Sequence, residues 1–307
     1  MKIIRAIHPF PDNKKAVLAI GNFDGVHLGH QAIFKEMIKE KNNINGKAIV
    51  LTFEPHPFKF LHPEKEILLL TPFHEKMEML EKSGIDTAIC IPFTREFSSI
   101  PAGDFIKNVL YDNLKISSIF AGEDFNFGKD KKGSYELLKK NSGKYGFKVN
   151  LVKTLFLDNI IVSSTNIRKF LLQGEIETAN KLLGRPYSIR GKIVHGKGLK
   201  FEIPTATLEP HHELIPGQGV YAVRVEFSGK KYAGAANIGI TYPYGSYKPT
   251  VEIHILNFNE TIYHEFIKVE FLKFIREEKI FASQNELITQ IKKDIEEIKK
   301  EKILSDY

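Results

Sequence analysis

The stretch Gly21-Asn22-Phe23-Asp24-Gly25-Val26-His27-Leu28-Gly29-His30-Gln31 decides the fold of the first half of this 307-residue chain. It follows the apolar run Ala16–Ile20 and precedes a helix-like segment from Leu28 to about Lys41. We therefore predict a strand that enters a glycine-containing turn, followed directly by a helix. Free backbone N–H groups at a helix start attract anions, and the helix dipole adds to that attraction.

Two histidines in this stretch, His27 and His30, are three residues apart and so lie on one side of the first helical turn. Gly25 and Gly29 let a large ligand approach the backbone closely. Two imidazoles beside a phosphate site can donate hydrogen bonds to a developing pentavalent phosphorus centre. A single histidine near a helix start is usually ordinary surface, so the functional interpretation depends on the combination. The stretch is neither a P-loop nor a G-x-G-x-x-G dinucleotide motif.

The composition is that of an ordinary globular protein, with 42% hydrophobic and 26% charged residues. The length suits about two domains. No apolar run approaches the roughly 20 residues of a membrane span, and residues 1–6 lack the apolar core of a signal peptide. Cys90 is the only cysteine, which excludes an intrachain disulfide and a cysteine zinc cluster, and its apolar neighbours predict a buried strand position. We expect a cytoplasmic protein.

The net charge of +7 allows polyanionic partners, but the lysines are dispersed along the chain. Small polyanions such as ATP also favour a positive potential. We therefore expect small-molecule substrates, with no nucleic acid and no membrane as partners. The sequence leaves the oligomeric state undetermined.

Predicted strands and helices alternate from Met1 to about Leu183. Repeated β-α units predict a doubly wound parallel sheet, which binds ligands at the carboxyl ends of its strands. The predicted strands after the first are 47–53, 86–91, 117–121 and 147–152, and the predicted helices between them are 72–83, 101–114 and 134–145.

Two further strand ends carry candidate ligand contacts. His56 follows the strand that ends at Phe53, in a loop that two prolines hold extended, and is either solvated surface or a ligand contact. The loop 122–128 contains Asp124, Phe125 and Phe127 between two glycines. Its aromatic residues are either plugs of the core or a wall for a flat ring.

The segment Ser163-Ser164-Thr165-Asn166-Ile167-Arg168 predicts another helix start, with Ser163 or Ser164 as the N-cap. Ser164 and Thr165 offer hydroxyl and N–H groups to a phosphate, and Arg168 follows one turn later. The alternative is a capped helix with a surface arginine.

The pattern changes near Leu183, where short alternating strands replace the helical periodicity. The candidate strands are 187–195, 219–227, 231–238, 250–258 and 267–275. Residues 220–225 and 251–255 alternate cleanly, and five or six such strands predict an antiparallel barrel. A C-terminal amphipathic helix is predicted from Ser283 to about Lys302. The fold class is therefore α/β plus β.

These motifs resemble a known family. Gly21 to His30 is similar to the His-x-Gly-His signature of nucleotidylyltransferases, in the form typical of bacterial bifunctional riboflavin kinase/FMN adenylyltransferases (FAD synthetases). Residues 162–168 resemble the second signature, Ile-Ser-Ser-Thr-x-Ile-Arg. The second half resembles the riboflavin kinase module, so the resemblance covers essentially the whole chain. Its landmarks are 182–187, 204–206, 219–221, 236–239, 251–254 and 271–281.

The resemblance implies an adenylyltransferase domain at 1–183 and a kinase-like barrel at 184–307. It implies that the first transfers AMP from ATP to FMN, giving FAD and pyrophosphate, and that the second phosphorylates riboflavin, both with Mg²⁺. The implied catalytic residues are His27, His30, Arg168 and, as general base of the kinase, Glu252. The implied ATP-binding residues are Gly21, Phe23, Asp24, Gly25, Gly29, Ser164 and Thr165. The implied flavin contacts are His56, Asp124, Phe125, Phe127 and Arg276, and the implied metal ligands are Thr205 and Thr207.

The kinase half departs from the family pattern around its phosphate loop. Glu202 replaces a glycine, Thr207 replaces an asparagine, residues 240–243 differ, and His264 replaces a glycine. Glu252 could also be a plain outward-facing strand residue. The alternatives are thus a monofunctional FAD synthetase with an inactive barrel, a different nucleotidylyltransferase on the same fold, or a flavin-binding regulatory protein.

Overall fold

The computed structural model describes residues 1–7, 15–195, 204–241 and 248–300. The chain forms two compact units, which are not continuous in sequence. The first contains Met1–Ile67 and Phe73–Val162, and the second contains Leu68–Pro72 and the chain from Ser163 onward. The chain passes into the second unit at Ser163, before the domain boundary predicted at residues 183 and 184. That predicted boundary concerns function and stays a prediction. Within the described ranges, no helix has the length and apolar character needed to cross a bilayer.

The first unit is built on a six-stranded sheet in the order β1-β4-β3-β2-β5-β6, in which every pair is parallel. The carboxyl end of β2 therefore lies between the ends of β3 and β5. The strands are β1 Lys2–Ile4, β2 Ala16–Ile20, β3 Lys47–Glu54, β4 Thr87–Pro92, β5 Ile116–Gly122 and β6 Lys148–Val152. Cys90 is buried in β4, as its neighbours predicted.

Helices cover both faces of this sheet, and alternate residues of β2 therefore pack into two different cores. Leu18 packs in one core with Ile106 of the helix after β4, whereas Val17 packs in the other with Phe34 and Met77. The helices of this unit are α1 Leu28–Asn43, α2 Pro57–Leu61, α3 Phe73–Lys82, α4 Arg95–Ser98, α5 Ala102–Asp104, which continues as π-helical turns over Phe105–Asn113, and α6 Tyr135–Tyr145. The predicted doubly wound sheet is confirmed.

The structure of this unit differs from the predicted pattern at three small elements. The loop predicted to be extended at residues 54–57 instead ends in the short helix α2, whose N-cap is His56. A two-stranded hairpin, β7 Phe156–Leu157 and β8 Ile160–Ile161, precedes the second motif. The predicted helix at 101–114 is present, but most of it is π-helical.

The second unit contains a closed antiparallel barrel in the order β10-β13-β12-β11-β14-β9. Alternation places residues such as Ile253, Val223 and Val269 in its interior. Its strands are β9 Tyr187–Val194, β10 Ala206–Pro210, β11 Gly219–Phe227, β12 Lys230–Thr241, β13 Lys248–Ile255 and β14 Phe266–Arg276. The predicted barrel is confirmed; β10 is the strand that the sequence pattern missed.

Three helices accompany the barrel: α7 Ser164–Leu172, α8 Ile176–Leu183 and α9 Gln284–Lys300. Asn180 on α8 donates from Nδ2 to the Phe271 carbonyl at 2.8 Å and accepts from the Tyr187 N–H at 2.6 Å, so α8 is fastened to β14 and β9. Helix α9 packs Ile295 and Ile298 against Ala222 of the barrel.

Some predicted features lie outside the described residues. These are the phosphate loop before Pro204, including Glu202, the Tyr242-Pro243 part of the second departure, and the predicted end of the last helix beyond residue 300.

Candidate active sites

The turn after β2 has an uncommon backbone that its surroundings hold in place. Phe23 and Val26 have φ angles of 51° and 39°, in a region that residues other than glycine seldom adopt, and Gly25 has φ 80°. Phe23, Asp24 and Val26 are buried. The Val26 carbonyl accepts a hydrogen bond from Gln31 Nε2 at 2.9 Å, which ties the turn to the first helix.

The two histidines form a stacked pair at the start of α1. Their ring centroids are 3.6 Å apart with an 18° interplanar angle. His27 is the N-cap, and its Nδ1 accepts a hydrogen bond from the backbone N–H of His30 at 3.4 Å. An acceptor at Nδ1 means that the neutral ring carries its proton on Nε2, which leaves that nitrogen as a donor.

Gly29 lies against this stack, and a side chain at this position would crowd the His27 ring. A Cβ atom on Gly29 would lie 3.2 Å from Nδ1 and Cε1 of that ring, and 3.4 Å from the carbonyl oxygen of Val162. Val162 ends the first unit and directly precedes the second motif. The backbone just before that motif therefore borders the first helical turn of α1.

The second motif begins α7, as predicted. Ser163 is the N-cap, and its hydroxyl accepts from the Asn166 N–H at 3.2 Å, so Ser164 and Thr165 occupy the first helical positions. Arg168, one turn later, donates from Nε to the carbonyl of Leu68 at 2.7 Å. These residues belong to the second compact unit, whereas His27 and His30 belong to the first.

The four predicted flavin contacts of the first unit differ from one another in burial and in their neighbours. His56 caps α2, with its Nδ1 accepting from the Phe58 N–H at 3.2 Å. Asp124 is exposed, and Phe125 is half-buried with its ring stacked on Phe127 at 5.4 Å. Phe127 is only 8% exposed and belongs to the core, so the core-plug interpretation describes its packing.

Sequence reasoning missed an aromatic cluster that continues from this pair to the ends of β3 and β4. Phe60, at its far end, is 37% exposed. Successive ring centroids are 5.4 to 6.2 Å apart, within the range of attractive aromatic contacts. Its members are Phe53, Phe60, Phe93, Phe97 and Phe105. The positions of several phenylalanines at or after the ends of predicted strands could have indicated this cluster.

The barrel aligns the predicted kinase residues in one transverse row. Thr207 pairs with Glu252, Glu252 with Asn237, Asn237 with Val220, and Val220 with Arg276. Directly opposite residues point to the same face of a sheet. Glu252 is exposed between the buried Val251 and Ile253, so the row is on the outer face of the barrel.

Asn237 in this row was missed as a site residue, although it lies in a segment that carries the family resemblance. Thr205 is exposed just before β10. The Pro204 carbonyl next to it lies 2.8 Å from Nδ1 of His254, which fixes this end of the phosphate loop to β13. His264 has φ 69°, a left-handed conformation that favours the glycine of the family pattern.

Arg276 ends the row and is held by a buried carboxylate. Its Nε and Nη2 donate to Asp294 of α9 at 2.8 to 3.0 Å, and its Nη1 donates to the Glu277 carbonyl at 2.9 Å. Asp294 also accepts from Gln290 at 2.8 Å. The last helix therefore orients the predicted flavin contact.

The oxygen atoms of the row suit Mg²⁺, which prefers hydroxyl, amide and carboxylate oxygen and completes its shell with water and substrate phosphates. Thr207, Asn237 and Glu252 supply one such group each, on adjacent strands. No cluster of three or more histidine, cysteine or acidic side chains suited to a metal occurs among the described residues. The three oxygen groups of the row would hold Mg²⁺ together with the phosphates of a nucleotide.

Taken together, a parallel sheet with a histidine-capped helix start and a barrel with a polar outer row define a two-module, nucleotide-handling class of protein. Two family models match the chain: FAD synthetase over residues 10–166 and riboflavin kinase over residues 183–302. Two relatives named bifunctional riboflavin kinase/FMN adenylyltransferase are similar over nearly their full length. The one from Buchnera aphidicola subsp. Schizaphis graminum is 44% identical, with 98% of each chain covered. The one from Escherichia coli K12 is 36% identical, with 96% of each covered.

The chain belongs to the family of bifunctional riboflavin kinase/FMN adenylyltransferases, which confirms the resemblance. A solved structure titled as a macrolide-efflux protein from Streptococcus pneumoniae is also similar, at 30% identity and a TM-score of 0.89, over 98% of this chain and 100% of that one. That title names an activity that neither family model describes.

Proposed function

We propose that this protein makes FAD from riboflavin in two ATP-dependent steps, each carried out by one of its two modules. The barrel module converts riboflavin to FMN, and the α/β module converts FMN to FAD. Both family models match the chain, and relatives similar over nearly its full length are named for both activities, which supports both steps. The predicted division at residues 183 and 184 is kept as the functional boundary. The ATP requirement supports the predicted cytoplasmic location.

The observation that carries the adenylyl transfer is the histidine pair at the start of α1. A phosphate oxygen of FMN attacks the α-phosphorus of ATP, the bond from that phosphorus to the bridging β-phosphate oxygen breaks, and pyrophosphate leaves. No protein nucleophile is required, so positioning and charge stabilisation supply the catalysis. His27 donates from Nε2, because its Nδ1 is already an acceptor, and His30 lies stacked beside it.

The remaining phosphate contacts come from backbone and hydroxyl groups at helix starts. The turn from Gly21 to Gly25, with Gly29, lets the triphosphate approach the α1 N-terminus. Ser164 and Thr165 offer the same groups at the start of α7, and Arg168 neutralises charge that develops on the phosphates. Mg²⁺ accompanies the ATP and screens the negative charge of its phosphates.

The isoalloxazine ring of FMN is assigned to the strand ends that carry aromatic side chains. Phe125 and the exposed end of the aromatic cluster at Phe60 offer apolar faces to a flat ring. His56 and Asp124 supply polar groups next to them. Phe127 contributes from the core, where it supports the Phe125 ring.

In the barrel module, Glu252 accepts the proton of the terminal ribityl hydroxyl as that oxygen attacks the γ-phosphorus of ATP, and ADP leaves. A carboxylate exposed in a row of oxygen donors suits a general base. Thr205 and Thr207, with Asn237, would hold Mg²⁺ and the nucleotide phosphates. Arg276, oriented by Asp294, lies at the other end of the row, where a flavin phosphate would need a cation.

One assay tests both steps. The purified protein is incubated with ATP, Mg²⁺ and either riboflavin or FMN, and the flavins are separated by chromatography. We expect FMN and then FAD from riboflavin, and FAD from FMN. Absence of FAD from FMN would refute the adenylyl transfer, and absence of FMN from riboflavin would leave a monofunctional FAD synthetase. Acceptor phosphates other than FMN should not be adenylylated.

A further inference from the structure

A buried lysine lies beneath the turn that precedes α1. Lys76, in the first turn of α3, is only 7% exposed, which is rare for a lysine that lacks partners. Its Nζ donates to the backbone carbonyl of Asn22 at 3.3 Å and to Thr52 Oγ1 at 3.5 Å. Thr52 is fully buried and donates to the same carbonyl at 3.3 Å. Two side chains from different elements therefore hold one backbone oxygen.

The oxygen they hold directly precedes the first positive-φ residue of the phosphate turn. Asn22 is followed by Phe23, whose φ is 51°, and the turn contains a second positive φ at Val26. Such backbone persists only when its surroundings fix it. Because the Asn22 carbonyl and the Phe23 N–H share one peptide plane, a fixed carbonyl also fixes the direction of that N–H.

Lys76 lies in an environment with little water. Burial lowers the pKa of Lys76, while the negative charges of Glu54 and Asp24 act in the opposite direction. Its Nζ also lies 5.8 Å from the centroid of the Phe73 ring. A hydrogen bond is stronger in a low-dielectric site than in water. Removing the Lys76 donor would leave the Asn22 carbonyl with one hydrogen bond fewer, with little water to replace it.

We propose that Lys76, assisted by Thr52, is a positioning residue for adenylyl transfer: the two donors fix the Asn22 carbonyl and so hold the turn in the conformation that presents its N–H groups to ATP. This rests on the proposed function of the first module. Because both side chains are buried, they would act on the nucleotide only through the turn. The barrel module does not use this turn.

The test is steady-state kinetics of both reactions on the full-length protein. Lys76→Met keeps an unbranched side chain as far as Cε and removes the amine donor. It should lower kcat/KM for ATP in FAD formation by about 10- to 100-fold, with a higher KM for ATP, an unchanged KM for FMN and an unchanged rate of riboflavin phosphorylation. Lys41→Met removes a lysine that pairs with Asp86 at 2.7 Å in the same unit, and should leave both reactions unchanged.

Thr52 provides a second arm in case Lys76→Met does not fold. Thr52→Val keeps the shape of the side chain without its hydroxyl and should lower kcat/KM for ATP by about 3- to 10-fold, whereas Thr52→Ser should restore the wild-type value. Wild-type kinetics in a folded Lys76→Met protein, or in Thr52→Val, would overturn the proposal. If the wild-type protein formed no FAD, the proposed function would fail by itself. ATP binding to the wild type and variants, measured by calorimetry, would then still test the anchor.

Discussion

The two ring nitrogens of His27 have separate tasks, and an asparagine at this position distinguishes them. Nδ1 caps α1 by accepting from the His30 N–H, whereas Nε2 is the proposed donor to the reacting phosphate. Asparagine is among the best N-cap residues but has no group that reaches as far as Nε2. We predict that His27→Asn preserves the helix start and loses most of the FAD synthesis.

The expected magnitudes follow from these two contacts. Removing one preorganised donor to a developing charge lowers kcat by about 10²- to 10³-fold, which is about 2.7–4 kcal/mol of transition-state stabilisation. A retained cap keeps the unfolding free energy near the wild-type value. His27→Ala loses the cap as well, so it should unfold more easily by about 1 kcal/mol, or about 2–4 °C in Tm for a unit of this size.

FAD formation from FMN, followed by chromatography under saturating ATP, measures the kinetic effect, and thermal unfolding measures the stability. Riboflavin phosphorylation in the same samples serves as the control for concentration and folding. If His27→Asn made FAD at the wild-type kcat, the assignment of Nε2 as a transition-state donor would be refuted. If His27→Ala and His27→Asn were equally stable, the capping role would be wrong.

Three further predictions concern the barrel. Glu252→Gln should lower riboflavin phosphorylation by about 10²- to 10⁴-fold and leave FAD formation from FMN intact, which separate assays of the two steps would show. Asp294→Ala leaves the partly buried Arg276 without its carboxylate and should lower the unfolding free energy, by at most about 3–5 kcal/mol, in urea titration. Burial alone would raise the pKa of Glu270, but hydrogen bonds and positive charge from Lys268 and Arg224 lower that pKa overall. Stability from Glu270 is therefore present above its unfolded pKa and lost as pH falls through its folded pKa, and Glu270→Gln should flatten the acid side of a stability–pH profile.

Much of the fold could be predicted because its patterns are local. The apolar run Ala16–Ile20 and the turn after it indicated a buried parallel strand and a helix start, and both are present. The alternation around Val251 and Ile253 indicated a strand with one buried face. The structure shows Glu252 exposed on the other face, the orientation that the sequence analysis gave as the alternative to a catalytic role. Strand β10 was missed because it is short and only Leu208 among its residues is buried, so it has little alternation to detect.

The parts that could not be predicted depend on distant contacts. A lysine in an amphipathic helix usually faces water, so nothing local indicated that Lys76 lies under the phosphate turn. The row from Thr207 to Arg276 requires the register of five strands, which no single segment specifies.

The short excursion Leu68–Pro72 has a consequence for how this chain can be cut or recombined. Although these residues come between strands of the α/β sheet, they belong to the barrel unit, where Arg168 holds the Leu68 carbonyl and Glu213 accepts from the Leu69 N–H at 2.9 Å. A single scission anywhere after this segment removes it from the barrel unit. A second unit expressed by itself from residue 163 onward lacks these partners of Arg168 and Glu213. We therefore expect it to unfold more easily than a version in which residues 68–72 are restored, for example by circular permutation.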